Sequence, residues 1–145
     1  MNSDPYNLKR FLDAQATIYE KVLAELSSGQ KKSHWMWYIF PQYQGLGLSM
    51  MSKKYAIQSL EEARAYLEHP VLGDRLLECT TTVLGITGRS AYEIFGSPDD
   101  LKLRSCATLF AVVSPPDSVF VQLLEQFYNG QRDTKTLEWL GFEHL

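Results

Sequence analysis

Cysteine, long apolar runs and, over a wide central stretch, acidic side chains are what this 145-residue chain has least of. It holds two cysteines, Cys79 and Cys106, too few for a disulfide-stapled scaffold. Both fall in segments that read as helix interiors, so two buried reduced thiols and a cytoplasmic setting are expected. No apolar run approaches the roughly 18 residues that suggest a membrane span, and no membrane partner is expected. The opening residues, MNSDPYNLKRFLD, include acids and lack an apolar core, so no secretory signal is expected either. With 45% hydrophobic residues the chain can bury a full core, and one α-helical domain over residues 1–145 is the natural reading.

The scarcity of acids is local. Between Leu26 and Leu60 there is no Asp or Glu, while Lys31, Lys32, Lys53 and Lys54 fall there together with His34. This segment carries +4 and the remainder −7, for a net charge of −3. A second acid-free stretch, Leu101 to Pro116, holds Lys102 and Arg104. Overall acidity argues against nucleic acid as a partner, but two basic islands in an acidic chain can converge on one small anionic ligand.

The punctuation is that of successive helices. Asp4-Pro5 reads as a cap with a first-turn proline, and Leu8, Phe11, Leu12, Gln15, Ile18, Tyr19, Val22, Leu23 and Leu26 recur at helical spacing. They predict one long amphipathic helix closed by Ser27-Ser28-Gly29. Ser33 is read as the cap of a short helix, HWMWYIF, stopped by Pro41. Residues 42–48 read as a loop. Ser59 with Glu62 and Ser90 with Glu93 form capping boxes, and His69-Pro70 ends one helix and begins the next. Ser97-Pro98-Asp99-Asp100 is the best helix start in the chain, opening a segment apolar nearly all round. Asn129-Gly130 closes the following amphipathic helix, and Asp133 caps the last. No segment alternates strictly, so the prediction is an all-α, compact array of about seven or eight helices.

The familiar signatures of catalysis are absent: no phosphate loop, dinucleotide fingerprint, zinc-protease motif or Cys-x-x-Cys. His34, His69 and His144 share no ligand spacing, so neither a metal site nor a cofactor is expected. His69 most simply caps a helix. The run from Ser33 to Gln42 is unusual, because a helix cannot bury Trp35, Trp37, Tyr38 and Phe40 in one stripe. One reading is an aromatic-walled ligand pocket in which His34 and Gln42 supply hydrogen bonds and Lys53, Lys54 and Tyr55 line the same cleft. The other is a buried hub helix with indole N–H groups bonded internally. Lys102, Arg104, Ser105 and Cys106 form a second constellation. Asp99–Lys102 and Asp100–Arg104 have pairing distances of three and four residues, worth a few tenths of a kcal/mol if on the surface. Alternatively, Lys102 or Arg104 binds a phosphate or carboxylate. Cys106 has no local base to activate it and reads as a core thiol.

The blocks SHWMWYIFPQ, GLGLSMMSKKYAI, HPVLGDRL and IFGSPDDLKLRSCATLF resemble a bacterial all-α family of unknown function, often mislabelled "calpastatin". The resemblance runs from Asp4-Pro5 to Gly141. It implies a helical-array fold and a stand-alone cytosolic domain, and it implies no activity. Protease inhibition of the kind the label suggests belongs to disordered chains poor in aromatics, and this chain is neither.

Three functional readings remain. The first is a pocket, enzymatic or not, for a small anionic ligand such as a nucleotide-like or phosphorylated metabolite. The second is a protein-interaction module or homodimer anchored by exposed rings. The third, weakest because of the net charge, is single-stranded nucleic-acid binding through stacking and lysines.

Overall fold

The computed structural model describes residues 4–45 and 49–142. Among them ten helices form: α1 (Lys9–Gln15), α2 (Tyr19–Ser27), α3 (Met36–Ile39), α4 (Met50–Lys54), α5 (Leu60–Glu68), α6 (Leu72–Leu84), α7 (Ala91–Phe95), α8 (Asp99–Val112), α9 (Val119–Tyr128) and α10 (Thr134–Leu140). The all-α reading holds, and the count of seven or eight is corrected to ten.

Two differences account for the correction. The long first helix is two helices, because the buried Gln15 turns its amide inward to the Tyr38 carbonyl (2.7 Å) and the Tyr66 hydroxyl (3.2 Å). The chain there tightens to a three-residue bond from Ile18 N–H to the Gln15 carbonyl. Apolar spacing continues across the break, so periodicity alone does not reveal it. The second difference is α4, a single turn after the segment read as loop, where no helix was expected, opened by Ser49 accepting from the Ser52 N–H.

Most of the predicted caps are present. Asp4 accepts from the N–H groups of Leu8 and Lys9, Ser90 and Glu93 make a reciprocal capping box, and Asp133 accepts from the Thr136 N–H. Nδ1 of His69 accepts from the N–H groups of Val71 and Leu72, so His69 acts as a cap. Three caps differ from expectation. Ser59 accepts from the Glu62 N–H, but Glu62 accepts from the Gln58 N–H rather than that of Ser59, so the box is not closed. Ser33 lies outside α3, whose N-cap is Trp35, and Pro98, joined to Ser97 by a cis peptide, occupies the N-cap of α8.

Helix α8 runs through the centre, with every residue from Ser105 to Ala111 buried. It packs against α5, α7, α9 and α10, while α6 packs against α2, α5 and α9. An aromatic chain crosses the core: Phe11 meets Tyr66 edge-on at 5.0 Å, Tyr66 meets Phe110 at 5.6 Å, and Phe110 meets Phe120 at 5.6 Å. At Gly73 a Cβ would lie 2.0 Å from the Leu67 carbonyl oxygen, so only glycine lets α6 approach the end of α5 this closely. Cys79 and Cys106 are buried free thiols, and burial pushes the Cys79 thiol up to about 12 and raises that of Cys106.

Candidate functional site

Helix α3 and the residues before it are held from below by one carboxylate. Glu25, buried near the end of α2, accepts from the N–H groups of Lys32 (2.7 Å) and Ser33 (2.9 Å), the Ser33 hydroxyl (2.6 Å) and the Trp35 indole N–H (3.0 Å). Burial by itself would push this carboxyl up; the four hydrogen bonds outweigh it and bring it down to about 2. Trp35 is thereby fixed in the core against Phe40 and Phe95. Trp37, two residues on, faces the other way and is only partly buried. Its ring carries the Lys102 ammonium 5.1 Å from the centroid.

The two basic islands do meet, and they meet on an acid. Lys31, only 6% exposed, lies 2.9 Å from one oxygen of Asp99, and Lys102 lies 3.5 Å from the other. The first-turn carboxylate of α8 thus joins Lys31 above Trp35 to Lys102 above Trp37.

Beside Trp37 the chain makes a small crossover. Tyr43 and Ile57 form a parallel bridge, with Ile57 N–H donating to the Gln42 carbonyl (2.8 Å) and Gln44 N–H to the Ile57 carbonyl (2.9 Å). The connection between them carries α4. From behind, Arg10 clamps this crossover with all five of its N–H donors. Its partners are the carbonyls of Tyr6, Asn7, Lys54 and Ala56 and the buried carboxylate of Glu62 at 2.7 Å. The result is a cleft of about 240 Å³. Its aromatic walls are Trp37, Tyr43 and Tyr55; Gln42, Gln44, Gln58, Ser52 and Lys53 supply polar groups. No acidic side chain lines it among the described residues. At its rim Gly45 has φ +86°, and a Cβ there would lie 2.5 Å from the Trp139 ring, so the indole of α10 rests directly on the glycine backbone.

Residues 5–140 match the DUF1810 family, described as proteins of unknown function. The chain belongs to the DUF1810 family. Its fold and sequence are also similar to the crystal structure of the conserved hypothetical protein Rv1873 from Mycobacterium tuberculosis: 52% identity, TM-score 0.93, covering 94% of this chain and 98% of that one. Comparison with curated proteins found no match.

In this DUF1810 chain the candidate residues read from the sequence separate into three places. Trp37, Gln42, Lys53 and Tyr55 come together in the cleft, with Lys102 on the Trp37 ring. Trp35 is in the core, and Ser105, also buried, donates its hydroxyl to the Leu101 carbonyl of its own helix. His34 is exposed in the turn before α3 and does not line the cleft. Lys54 lies over the Tyr55 ring toward Asn7, Arg10 and Asp13. Arg104 pairs not with Asp100 but with Asp133 at 3.8 Å, beside a different cavity. His144 lies outside the described residues.

Sequence reasoning missed Tyr43, Gln44, Ser52 and Gln58. Their only common signal was membership of the acid-free Leu26–Leu60 segment. Arg10 and Trp139 gave no signal, since the partners that bring them to the cleft lie 44 or more residues away in sequence. Among the described residues, no helix is long and apolar enough to cross a membrane, and no three metal-ligating side chains gather.

Proposed function

We propose that the cleft beside Trp37 binds a small, flat anionic ligand: a nucleobase-bearing or phosphorylated metabolite. The observation that carries this reading is a partly buried indole wall and a lysine in a cleft with no acidic lining. An aromatic wall takes a planar ring, glutamine amides both donate and accept along its edge, and Lys53 attracts the anionic end. Size narrows the choice. At about 240 Å³ the cleft is below the roughly 300–1,000 Å³ of drug-sized sites, so it holds one ring system or one phosphorylated unit while the rest of the ligand stays in solvent. No reaction is assigned, because the cysteine thiols are buried and raised and no nucleophile stands beside a base in the cleft. Two reduced buried thiols suit a reducing compartment such as the cytoplasm.

A thermal-shift panel of nucleosides, nucleotides and sugar phosphates tests the reading. At least one compound should raise the melting temperature, and Trp37→Ala and Lys53→Met should each weaken its binding about tenfold, or ~1.4 kcal/mol. A broad panel without a shift, or a shift that both variants leave intact, removes the proposal. A second reading, contact between two copies of the chain, is favoured by Met50, 87% exposed on α4. Light scattering at high concentration that gives the mass of one chain disposes of it.

A further inference from the structure

A second cavity lies where α8, the end of α9 and the start of α10 meet, and the cleft reading does not involve it. It is open, encloses about 630 Å³, and is lined by Arg104, Gly130, Gln131, Arg132, Thr134 and Leu137. We propose that this cavity is a separate oxyanion site, in which Arg104 and Arg132 bind a phosphoryl group.

Arg104 carries the argument. Its side chain is 27% exposed, yet its Nε–H is buried and has no hydrogen-bond partner among the described residues. Native structures rarely leave such a donor unmatched without a reason. Its one ionic partner, Asp133, lies at 3.8 Å, beyond hydrogen-bond length, and is occupied elsewhere: the other oxygen accepts from the Thr136 N–H (3.0 Å) and hydroxyl (2.6 Å). The guanidinium is therefore positioned without being satisfied. It sits 5.9 Å from the centroid of Tyr128, a ring whose hydroxyl is itself tied to the Asp100 carbonyl.

The facing wall is also fixed. Asn129 (φ +54°) and Gly130 (φ +78°) turn the chain back in left-handed conformations. The N–H groups of Gly130, Gln131 and Asp133 then anchor it to the Leu124 carbonyl, the Tyr128 carbonyl and the Thr108 hydroxyl. Arg132, held on this wall, forms no ion pair among the described residues, and no acidic side chain lines the cavity there.

Ligand chemistry follows from the donor set. Two guanidinium forks with the Gln131 amide and Thr134 hydroxyl offer more N–H and O–H groups than a carboxylate's two oxygens can engage. The three terminal oxygens of a phosphoryl group match them better. Free phosphate and the phosphoryl end of a larger molecule present the same group, so both belong in the test.

Isothermal titration with inorganic phosphate, and separately with phenyl phosphate, decides the matter. The titrations use Trp37→Ala/Lys53→Met protein, in which the first cleft is disabled; saturable binding of at least one probe is expected there, weakened about tenfold or more by adding Arg104→Met or Arg132→Met. Tighter binding of phenyl phosphate identifies a phosphomonoester as the source, and tighter binding of phosphate the free ion. Circular dichroism checks that the variants fold; should Arg104→Met fail to fold, Arg132→Met on the linker carries the test. No saturable binding of either probe overturns the proposal, as does binding that survives the arginine substitutions.

Discussion

Trp35 and Trp37 are two residues apart on one turn of chain and live in opposite worlds. Trp35 is wholly buried, its indole N–H on Glu25, its ring between Phe40 and Phe95. Trp37 is half-buried, forms no indole hydrogen bond among the described residues, and shares its ring between Lys102 and the cleft. The helical turn imposes this division, because positions two apart point to nearly opposite sides. A short helix crowded with aromatics can anchor a core with one ring while presenting another.

The comparison can be broken most severely from the inside. Trp35→Ala should cost about 3–5 kcal/mol, since it leaves a large cavity and takes one of four donors from the buried Glu25 carboxylate. Urea unfolding measures this, and a loss below ~1 kcal/mol would mean the inner ring is not the anchor. Next comes Glu25→Gln, expected to cost about 1–3 kcal/mol at neutral pH by weakening the acceptor for four donors. It should also change the pH profile. The folded carboxyl titrates lower than in an unfolded chain, so its stabilisation is complete above about pH 4.3 and is lost as pH falls through about 2. Melting temperatures recorded from pH 6 to pH 2 should fall less steeply in the variant, and parallel curves would show that another group governs this limb. The smallest effect belongs to the outer ring. Lys102→Met should cost no more than about 1 kcal/mol, because a long, partly exposed pair with Asp99 at 3.5 Å and one cation–π contact contribute little. A loss above ~2 kcal/mol by the same urea assay would erase the distinction between anchor and presented surface.

How much of this was legible in the sequence depends on the range of the interaction. Features written within four residues were readable: the box at Ser90, the caps at Asp133 and His69, the Asp99–Lys102 pair and the buried apolar run of α8. The break between α1 and α2 was not, because it depends on Gln15 finding Tyr38 and Tyr66 across the fold. Arg104 was misassigned to Asp100, four residues away, since nothing local announces Asp133. Glu25 was not singled out, although its partners lie only seven to ten residues ahead. The cleft was half visible: its lysine and rings stood out, while its glutamines and the Arg10 clamp depend on a crossover that no periodicity encodes.

The seating of Trp139 on Gly45 has an optical consequence. Of the three tryptophans, Trp35 emits from a dry interior that ligands do not reach, whereas Trp37 lines the cleft and Trp139, 46% exposed, closes its rim. Whatever enters there changes the water around Trp37 and leaves Trp35 as an internal standard. The unlabelled protein therefore carries its own fluorescence gauge of occupancy.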